Sequence, residues 1–169
     1  MTVHRLYYAH GKGTGPWGTK IQALAPVAEA FGFRVESIDF THTDDPEERL
    51  AHARAQNLSA DGRLVLVGSS MGGHVFSRLA EMMPVDGLFL LAPAIGIPGY
   101  PGEPQPDVDQ HEVVHGWEDA VVPVEAAIGY ARRCRARLHV LDSGHDLNDR
   151  IPLLEELLAA HLRRVLAGE

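Results

Sequence analysis

Short apolar runs alternate along this chain with longer segments in which apolar residues recur every three or four positions. Runs of the first kind have the length and composition of buried strands, and segments of the second kind have the periodicity of amphipathic helices. Strands are predicted at 3–9, 34–40, 64–67, 88–91, 112–115 and 137–141, and helices at 17–30, 46–58, 71–83, 124–134 and 153–166. This alternation indicates an α/β fold, with a parallel sheet covered by helices on both faces.

One long stretch, from 92 to 109, shows neither pattern. It contains five prolines and three glycines, a composition that excludes a regular helix or a central strand. A loop of this length within a compact domain is usually functional or mobile. Because the sequence has no repeat and no linker, we expect a single domain over 1–169. In a parallel sheet, ligands bind beyond the carboxyl ends of the strands, so the residues that follow each strand are the candidates for a functional site.

Composition narrows the range of functions. The formal net charge is −8, which argues against a nucleic-acid partner because phosphates require a basic surface. Cys134 is the only cysteine, so an intrachain disulfide is excluded. The first residues do not have the pattern of a signal peptide, and no apolar run reaches the roughly 20 residues of a transmembrane helix. We therefore expect a cytoplasmic protein without a membrane span.

The segment Gly68-Ser69-Ser70-Met71-Gly72 follows the third predicted strand and immediately precedes a helix. A serine framed by two glycines in a strand–turn–helix context is typical of a nucleophile elbow, in which a sharp turn lifts the hydroxyl above the sheet. Ser70 is therefore the candidate nucleophile. Ser69 is a neighbouring alternative without the glycine frame. A simple glycine-rich turn with Ser70 as a helix N-cap would also fit the pattern.

A serine hydroxyl needs a base to accept its proton, and an acidic residue to orient that base. His145 lies in a loop after the last predicted strand, where it can reach across the strand ends, and it is the candidate base. The segment after the preceding strand contains two acidic residues. Asp119 is the favoured acid, and Glu118 is the alternative.

A hydrolytic serine also requires backbone N–H groups to stabilise the oxyanion of the tetrahedral intermediate. One donor should be the amide of Met71, the residue after the nucleophile. The other should come from the glycine-rich loop 10–16 after the first strand, where the amide of Lys12 is favoured over that of Gly13. This loop could also be interpreted as a phosphate cradle, but its spacing differs from that of a P-loop.

Taken together, these segments resemble the α/β-hydrolase superfamily. The matching pieces are His10-Gly11, Gly68-x-Ser70-x-Gly72, His115-Gly116-x-x-Asp119-x-x-Val122-Pro123 and Gly144-His145. The resemblance implies a three-layer α/β/α sandwich, a minimal version of the fold with about six parallel strands in the order 2-1-3-4-5-6. It is greatest to small bacterial serine esterases without a cap domain. The dienelactone-hydrolase-like group comes second, because its nucleophile is normally a cysteine whereas this chain has Ser70.

The resemblance implies hydrolysis of small or medium acyl esters or thioesters through an acyl-enzyme, without a cofactor or metal ion, by a monomer or homodimer. The residues expected to line the substrate pocket are His10, Gly11, Trp17, Ile95, Ile97, Tyr100 and Trp117. Two other classes of function stay open. His10, His115 and His145 could hold a metal ion for hydrolysis, or the fold could serve only to bind a ligand or a partner protein.

Overall fold

The structure, a computed structural model, describes residues 1–168 and contains one six-stranded parallel sheet flanked by helices. The strands lie in the order 2-1-3-4-5-6, as the sequence predicted. The strands are β1 His4–Ala9, β2 Phe33–Ile38, β3 Leu64–Ser69, β4 Gly87–Leu91, β5 Gln110–Gly116 and β6 Arg137–Leu141. The helices are α1 Thr19–Ala30, α2 Pro46–Ala55, α3 Met71–Leu79, α4 Val124–Cys134 and α5 Ile151–Ala167.

Alternate residues of each central strand pack into two separate cores, one on each face of the sheet. On one face Leu6, Tyr8, Val65, Val67, Phe89, Leu91 and Val114 pack against α1 and α5. On the other face Tyr7, Leu66, Leu88, Leu90 and Val113 pack against α2, α3 and α4. The central strands are therefore apolar on both faces, which explains why their sequences are continuous apolar runs.

Element boundaries differ from the predicted ones by a few residues, for local reasons. Helix α1 begins at Thr19 instead of Trp17, because Gly18 has an extended backbone conformation. Helix α2 ends at Ala55 instead of Leu58, and Asn57 has a positive φ of 51° just beyond it. Strand β5 is longer than predicted because its polar first residues, from Gln110, also pair with β4. The apolar pattern underestimated the length of β5 because the strand begins with buried polar residues.

All six strands are parallel, so their carboxyl ends meet at one edge of the sheet. The loops after β1, β3, β4, β5 and β6 converge there. The loop from 92 to 109 contains neither helix nor strand, as predicted. Within residues 1–168, no helix is both long enough and apolar enough to cross a bilayer.

Candidate active site

The turn between β3 and α3 places Ser70 in a strained conformation. Its φ of 52° and ψ of −115° lie in a region that non-glycine residues rarely occupy. Both flanking glycines are required by close approach. A Cβ at Gly72 would lie 2.0 Å from the carbonyl oxygen of Ala9, and one at Gly68 would lie 2.5 Å from the carbonyl oxygen of Gly72. The turn is thus tight enough to hold the Ser70 hydroxyl above the end of the sheet.

His145 lies within hydrogen-bonding distance of that hydroxyl. Its Nε2 atom is 3.0 Å from Ser70 Oγ, and its Nδ1 atom is 2.7 Å from Oδ2 of Asp119. A carboxylate can only accept, so Nδ1 carries the proton and Nε2 is left to accept the proton of the serine hydroxyl. The structure therefore brings together the three residues that the sequence picked out as nucleophile, base and acid.

Asp119 is held by more than the histidine. Its side chain is fully buried, and its Oδ1 atom accepts hydrogen bonds from the amides of Val121 and Val122, at 2.8 and 2.7 Å. These two donors fix the orientation of the carboxylate. The alternative acid, Glu118, has an exposed side chain and only its backbone is engaged, through an N–H···O bond to Ser143. The geometry therefore favours Asp119.

A second histidine, which the sequence analysis included in the α/β-hydrolase match and as a possible metal ligand, also contacts this carboxylate. His115 is completely buried, and its Nε2 atom lies 3.3 Å from Asp119 Oδ2 and 2.8 Å from the carbonyl oxygen of Val122. Two acceptors around one nitrogen indicate that Nε2 carries a proton and donates. His115 thus supports the turn that carries Asp119, a role that its position one residue before Gly116 did not reveal.

Close packing between the loops after β5 and β6 fixes the position of His145. A Cβ at Gly116 would lie 2.2 Å from the carbonyl oxygen of Ser143, so this position has room only for glycine. The Ser143 hydroxyl donates to Asp149, and the Arg150 guanidinium donates to the carbonyl oxygen of Asp142 at 2.6 and 2.8 Å. These bonds close the 142–150 loop on itself and hold the histidine over the strand ends.

The glycine-rich loop after β1 lies directly against Ser70. A Cβ at Gly11 would lie 3.4 Å from Ser70 Cβ, which is ordinary van der Waals contact and shows how near the loop lies to Ser70. Next to it, the buried His10 uses both ring nitrogens: Nδ1 lies 2.7 Å from the carbonyl oxygen of Gly11, and Nε2 accepts from the amide of Phe40 at 2.9 Å. Burial lowers the pKa of His10, which is consistent with this neutral tautomer. Lys12 continues the loop at the rim of the site, and Met71 begins α3 on its other side.

A cavity of about 360 Å³ opens above Ser70. Three of the predicted pocket residues line it, namely His10, Gly11 and Tyr100, together with Lys12, which was predicted as an oxyanion donor. Sequence reasoning missed Thr14, Gly18, Thr19, Lys20, Ile21, Val121, Asp146 and Asn148 in its lining. Most of these follow β1 or precede α5, and their position just beyond strand ends was the available signal.

The other predicted pocket residues do not line this cavity. Ile95 is only 2% exposed and packs in the core beneath α2, α3 and α4. Trp17 and Trp117 are 46% and 56% exposed, and neither lines the cavity. Ile97 is half-buried in the 92–109 loop, and it too is outside the cavity lining. The prediction was wrong for these four residues because nearness in sequence to a strand end does not determine where a side chain points.

The structure gives no support to a histidine-bound metal ion. Within residues 1–168, no group of three or more histidine, cysteine or acidic side chains is arranged to hold one. Both nitrogens of His10 are hydrogen bonded, and His145 is engaged by Ser70 and Asp119. A more open depression of about 460 Å³ beside β2 contains His42 and His52, and none of its lining residues belongs to the Ser70 site.

Comparison with solved structures identifies the architecture. A protein of Xanthomonas campestris pv. campestris assigned to the hydrolases of the alpha/beta superfamily is 29% identical and superposes with a TM-score of 0.86, covering 95% of this chain and 98% of its own. The chain has the α/β-hydrolase fold. An esterase of Pyrococcus furiosus shares this fold at 15% identity, with a TM-score of 0.79 over 95% of this chain and 83% of its own. The resemblance predicted from the sequence is confirmed.

Sequence comparison gives one further relative. A pyrethroid hydrolase of Sphingobium wenxiniae is 32% identical over an alignment of 123 residues, and the match covers 62% of this chain. The match covers 43% of that relative, so the chain matches less than half of the relative's length. No protein-family model matches the sequence. The similarities therefore agree on a hydrolase fold of the α/β type with esterase-like neighbours.

Proposed function

We propose that this protein is a serine hydrolase that cleaves small or medium acyl esters or thioesters. The observation that carries the proposal is the continuous chain of contacts from Ser70 Oγ to His145 Nε2 at 3.0 Å, and from His145 Nδ1 to Asp119 Oδ2 at 2.7 Å. A nucleophile, a base and an orienting acid in this arrangement are what acyl transfer requires. The esterase-like structural neighbours support the same class of reaction.

In the proposed reaction, Ser70 Oγ attacks the carbonyl carbon while His145 Nε2 takes the hydroxyl proton. The imidazolium is stabilised by ionised Asp119, and the oxyanion is bound by the amides of Lys12 and Met71. Collapse of the tetrahedral intermediate breaks the bond to the alcohol or thiol, which leaves with the proton from His145. Water, deprotonated by the same histidine, then attacks the acyl-enzyme, and the acid is released as His145 returns the proton to Ser70 Oγ.

The cavity supports a small acyl group. Its volume of about 360 Å³ lies near the lower end of the roughly 300–1,000 Å³ typical of ligand sites. Its lining is mixed: Ile21, Tyr100 and Val121 offer apolar surface, whereas Lys12, Lys20 and Asn148 are polar or charged. We therefore expect the acyl chain to be short, and the leaving group to extend towards solvent.

A substrate panel tests this proposal. We expect p-nitrophenyl acetate and butyrate to be hydrolysed with a higher kcat/KM than the laurate or palmitate, and Ser70→Ala to abolish turnover of every member. The panel should include an acyl thioester, a lactone and a pyrethroid. The pyrethroid is included because one relative is a pyrethroid hydrolase. A preference for long acyl chains would contradict the small-pocket argument. Absence of any Ser70-dependent hydrolysis would favour the remaining alternative, a ligand- or partner-binding protein.

A further inference from the structure

The side chain of Arg49, on α2, lies buried directly behind the loop that faces Ser70. Only 1% of it is exposed. Its Nη1 atom donates to the carbonyl oxygen of His10 at 2.9 Å and approaches that of Gly11 at 3.5 Å. A buried guanidinium is costly to desolvate, and such groups persist where their donors satisfy specific acceptors. Here the acceptors are the peptide groups next to the nucleophile.

The remaining donors of this guanidinium anchor it to the loop that precedes α2. Nε donates to the carbonyl oxygen of Thr43 at 2.9 Å, and Nη2 lies 3.3 Å from Oδ1 of Asp44, whose side chain is 57% exposed. The guanidinium also lies over the ring of Phe40, 5.4 Å from its centroid. Arg49 is therefore held in one orientation, and its bonds to His10 and Gly11 have a fixed direction.

The carbonyl of Gly11 is the focus of several donors. His10 Nδ1 donates to it at 2.7 Å and Thr14 Oγ1 at 3.4 Å, in addition to the approach of Arg49. Peptide bonds within residues 1–168 are all trans, so the N–H of a peptide group points away from its C=O. With the Gly11 carbonyl directed towards Arg49, the amide of Lys12 is directed to the opposite side, where the cavity above Ser70 opens.

We propose that Arg49 is a positioning residue for the oxyanion site, which orients and polarises the peptide groups of His10–Gly11 and Gly11–Lys12 so that their amides face the developing negative charge. This inference rests on the proposed function. Preorganised dipoles stabilise a transition state because they need no rearrangement when charge develops. A cation behind the carbonyls also strengthens the N–H groups as donors. Nothing in the local sequence around Arg49 indicates this role.

Steady-state kinetics of Arg49→Met and Arg49→Lys test the inference. We expect Arg49→Met to lower kcat for p-nitrophenyl acetate about 10- to 100-fold with KM within about 2-fold, a smaller loss than removal of an oxyanion donor outright. Arg49→Lys keeps the positive charge but lacks the several N–H donors of the guanidinium. It should recover part of the kcat that is lost in Arg49→Met. Arg164→Met is the matched control, because Arg164, on α5, pairs with buried Glu112 of β5, and neither residue lines the cavity above Ser70.

Inhibitor binding separates this role from a purely structural one. A short trifluoromethyl ketone forms a hemiketal oxyanion with Ser70, whereas the methyl ketone of equal length mimics only the ground state. We expect Arg49→Met to lower the affinity for the trifluoromethyl ketone by the same factor as it lowers kcat/KM. The affinity for the methyl ketone should be unchanged. Equal losses for both ketones, or losses as large in Arg164→Met, would overturn the inference. Wild-type protein that neither hydrolyses esters nor binds the ketone would instead contradict the proposed function.

A milder variant keeps the inference testable if Arg49→Met does not fold. Asp44→Asn removes the exposed charge that orients the guanidinium, without leaving a buried group unpaired. We expect kcat to fall about 2- to 5-fold with KM unchanged, the range that loss of one exposed ion pair allows. An unchanged kcat in this variant, together with an unchanged affinity for the trifluoromethyl ketone, would contradict the positioning role.

Discussion

Asp119 is the residue of the site whose surroundings are most completely determined. Its Oδ1 atom is occupied by two backbone amides, which leaves Oδ2 for His145 and, at 3.3 Å, for His115. Asparagine could accept the same amides through its carbonyl oxygen but would present an NH₂ group to His145. The imidazole would then have to accept at Nδ1 and would carry its proton at Nε2, where it cannot act as a base towards Ser70.

We therefore expect Asp119→Asn to lower kcat for p-nitrophenyl acetate by about 10³- to 10⁴-fold, because the wrong histidine tautomer is stabilised. Glu118→Gln is the matched control: its side chain is exposed, so activity should stay within a factor of two of wild type. Activity within tenfold of wild type in Asp119→Asn, or a large loss in Glu118→Gln, would show that Asp119 is not the acid.

At the level of secondary-structure elements, the junction between β1, β3 and α3 is the tightest point of the fold. Gly72 lies in the first turn of α3, where a Cβ would collide with the backbone of Ala9 at the end of β1. Backbone atoms cannot move aside as a flexible side chain can. The glycine therefore lets α3 approach β1, which brings the loop after β1 against Ser70.

Gly72→Ala should lower the free energy of unfolding by about 1–3 kcal/mol, the usual cost of overpacking. It should also reduce esterase activity. Helix propensity alone predicts the opposite sign for a glycine-to-alanine change. Gly129→Ala in α4 has open space around the added methyl group and should raise the free energy of unfolding by up to about 1 kcal/mol. Urea unfolding of the two variants measures the difference. A stabilised, fully active Gly72→Ala would contradict the close-approach argument.

Sequence patterning was sufficient for the order and type of the elements, because apolar periodicity and strand–helix alternation are local properties. It also picked out Ser70, Asp119 and His145, which the structure brings into contact, since each follows the end of a strand. It did not find Arg49, because a charged residue on a helix with polar neighbours normally faces solvent. It placed Trp17 and Trp117 in the pocket wrongly, since side-chain direction in a loop depends on tertiary contacts.

Two buried histidines make the stability of the whole molecule depend on pH. Burial lowers the pKa of His74 to about 4, helped by the nearby charge of Arg78, and burial also lowers that of His111 to about 4. In the unfolded chain a histidine titrates near its ordinary pKa of about 6.5. Between pH 6.5 and 4 the unfolded state therefore binds more protons than the native state, so stability is lost as the pH falls through this window.

Each buried histidine should contribute about 1.4 kcal/mol per pH unit to the pH dependence of the free energy of unfolding between pH 6 and 5, because one proton is taken up on unfolding. We expect His74→Gln to reduce the pH dependence of the free energy of unfolding by nearly this amount. His42→Gln, at an exposed position, is the control and should have a much smaller effect. Urea titrations at several pH values provide the measurement, and an unchanged slope in His74→Gln would show that this histidine is protonated in the native state.

The most direct test of the central claim, that Ser70 is an activated nucleophile, is labelling with a fluorophosphonate probe followed by peptide mass spectrometry. The hydroxyl of Ser69 provides the internal control, because it precedes the strained position and is not hydrogen bonded to His145. We predict stoichiometric modification of wild type and of Ser69→Ala at Ser70, and none of Ser70→Ala or of wild type unfolded in urea. Unlabelled wild type, or equal labelling of Ser70→Ala, would contradict the account.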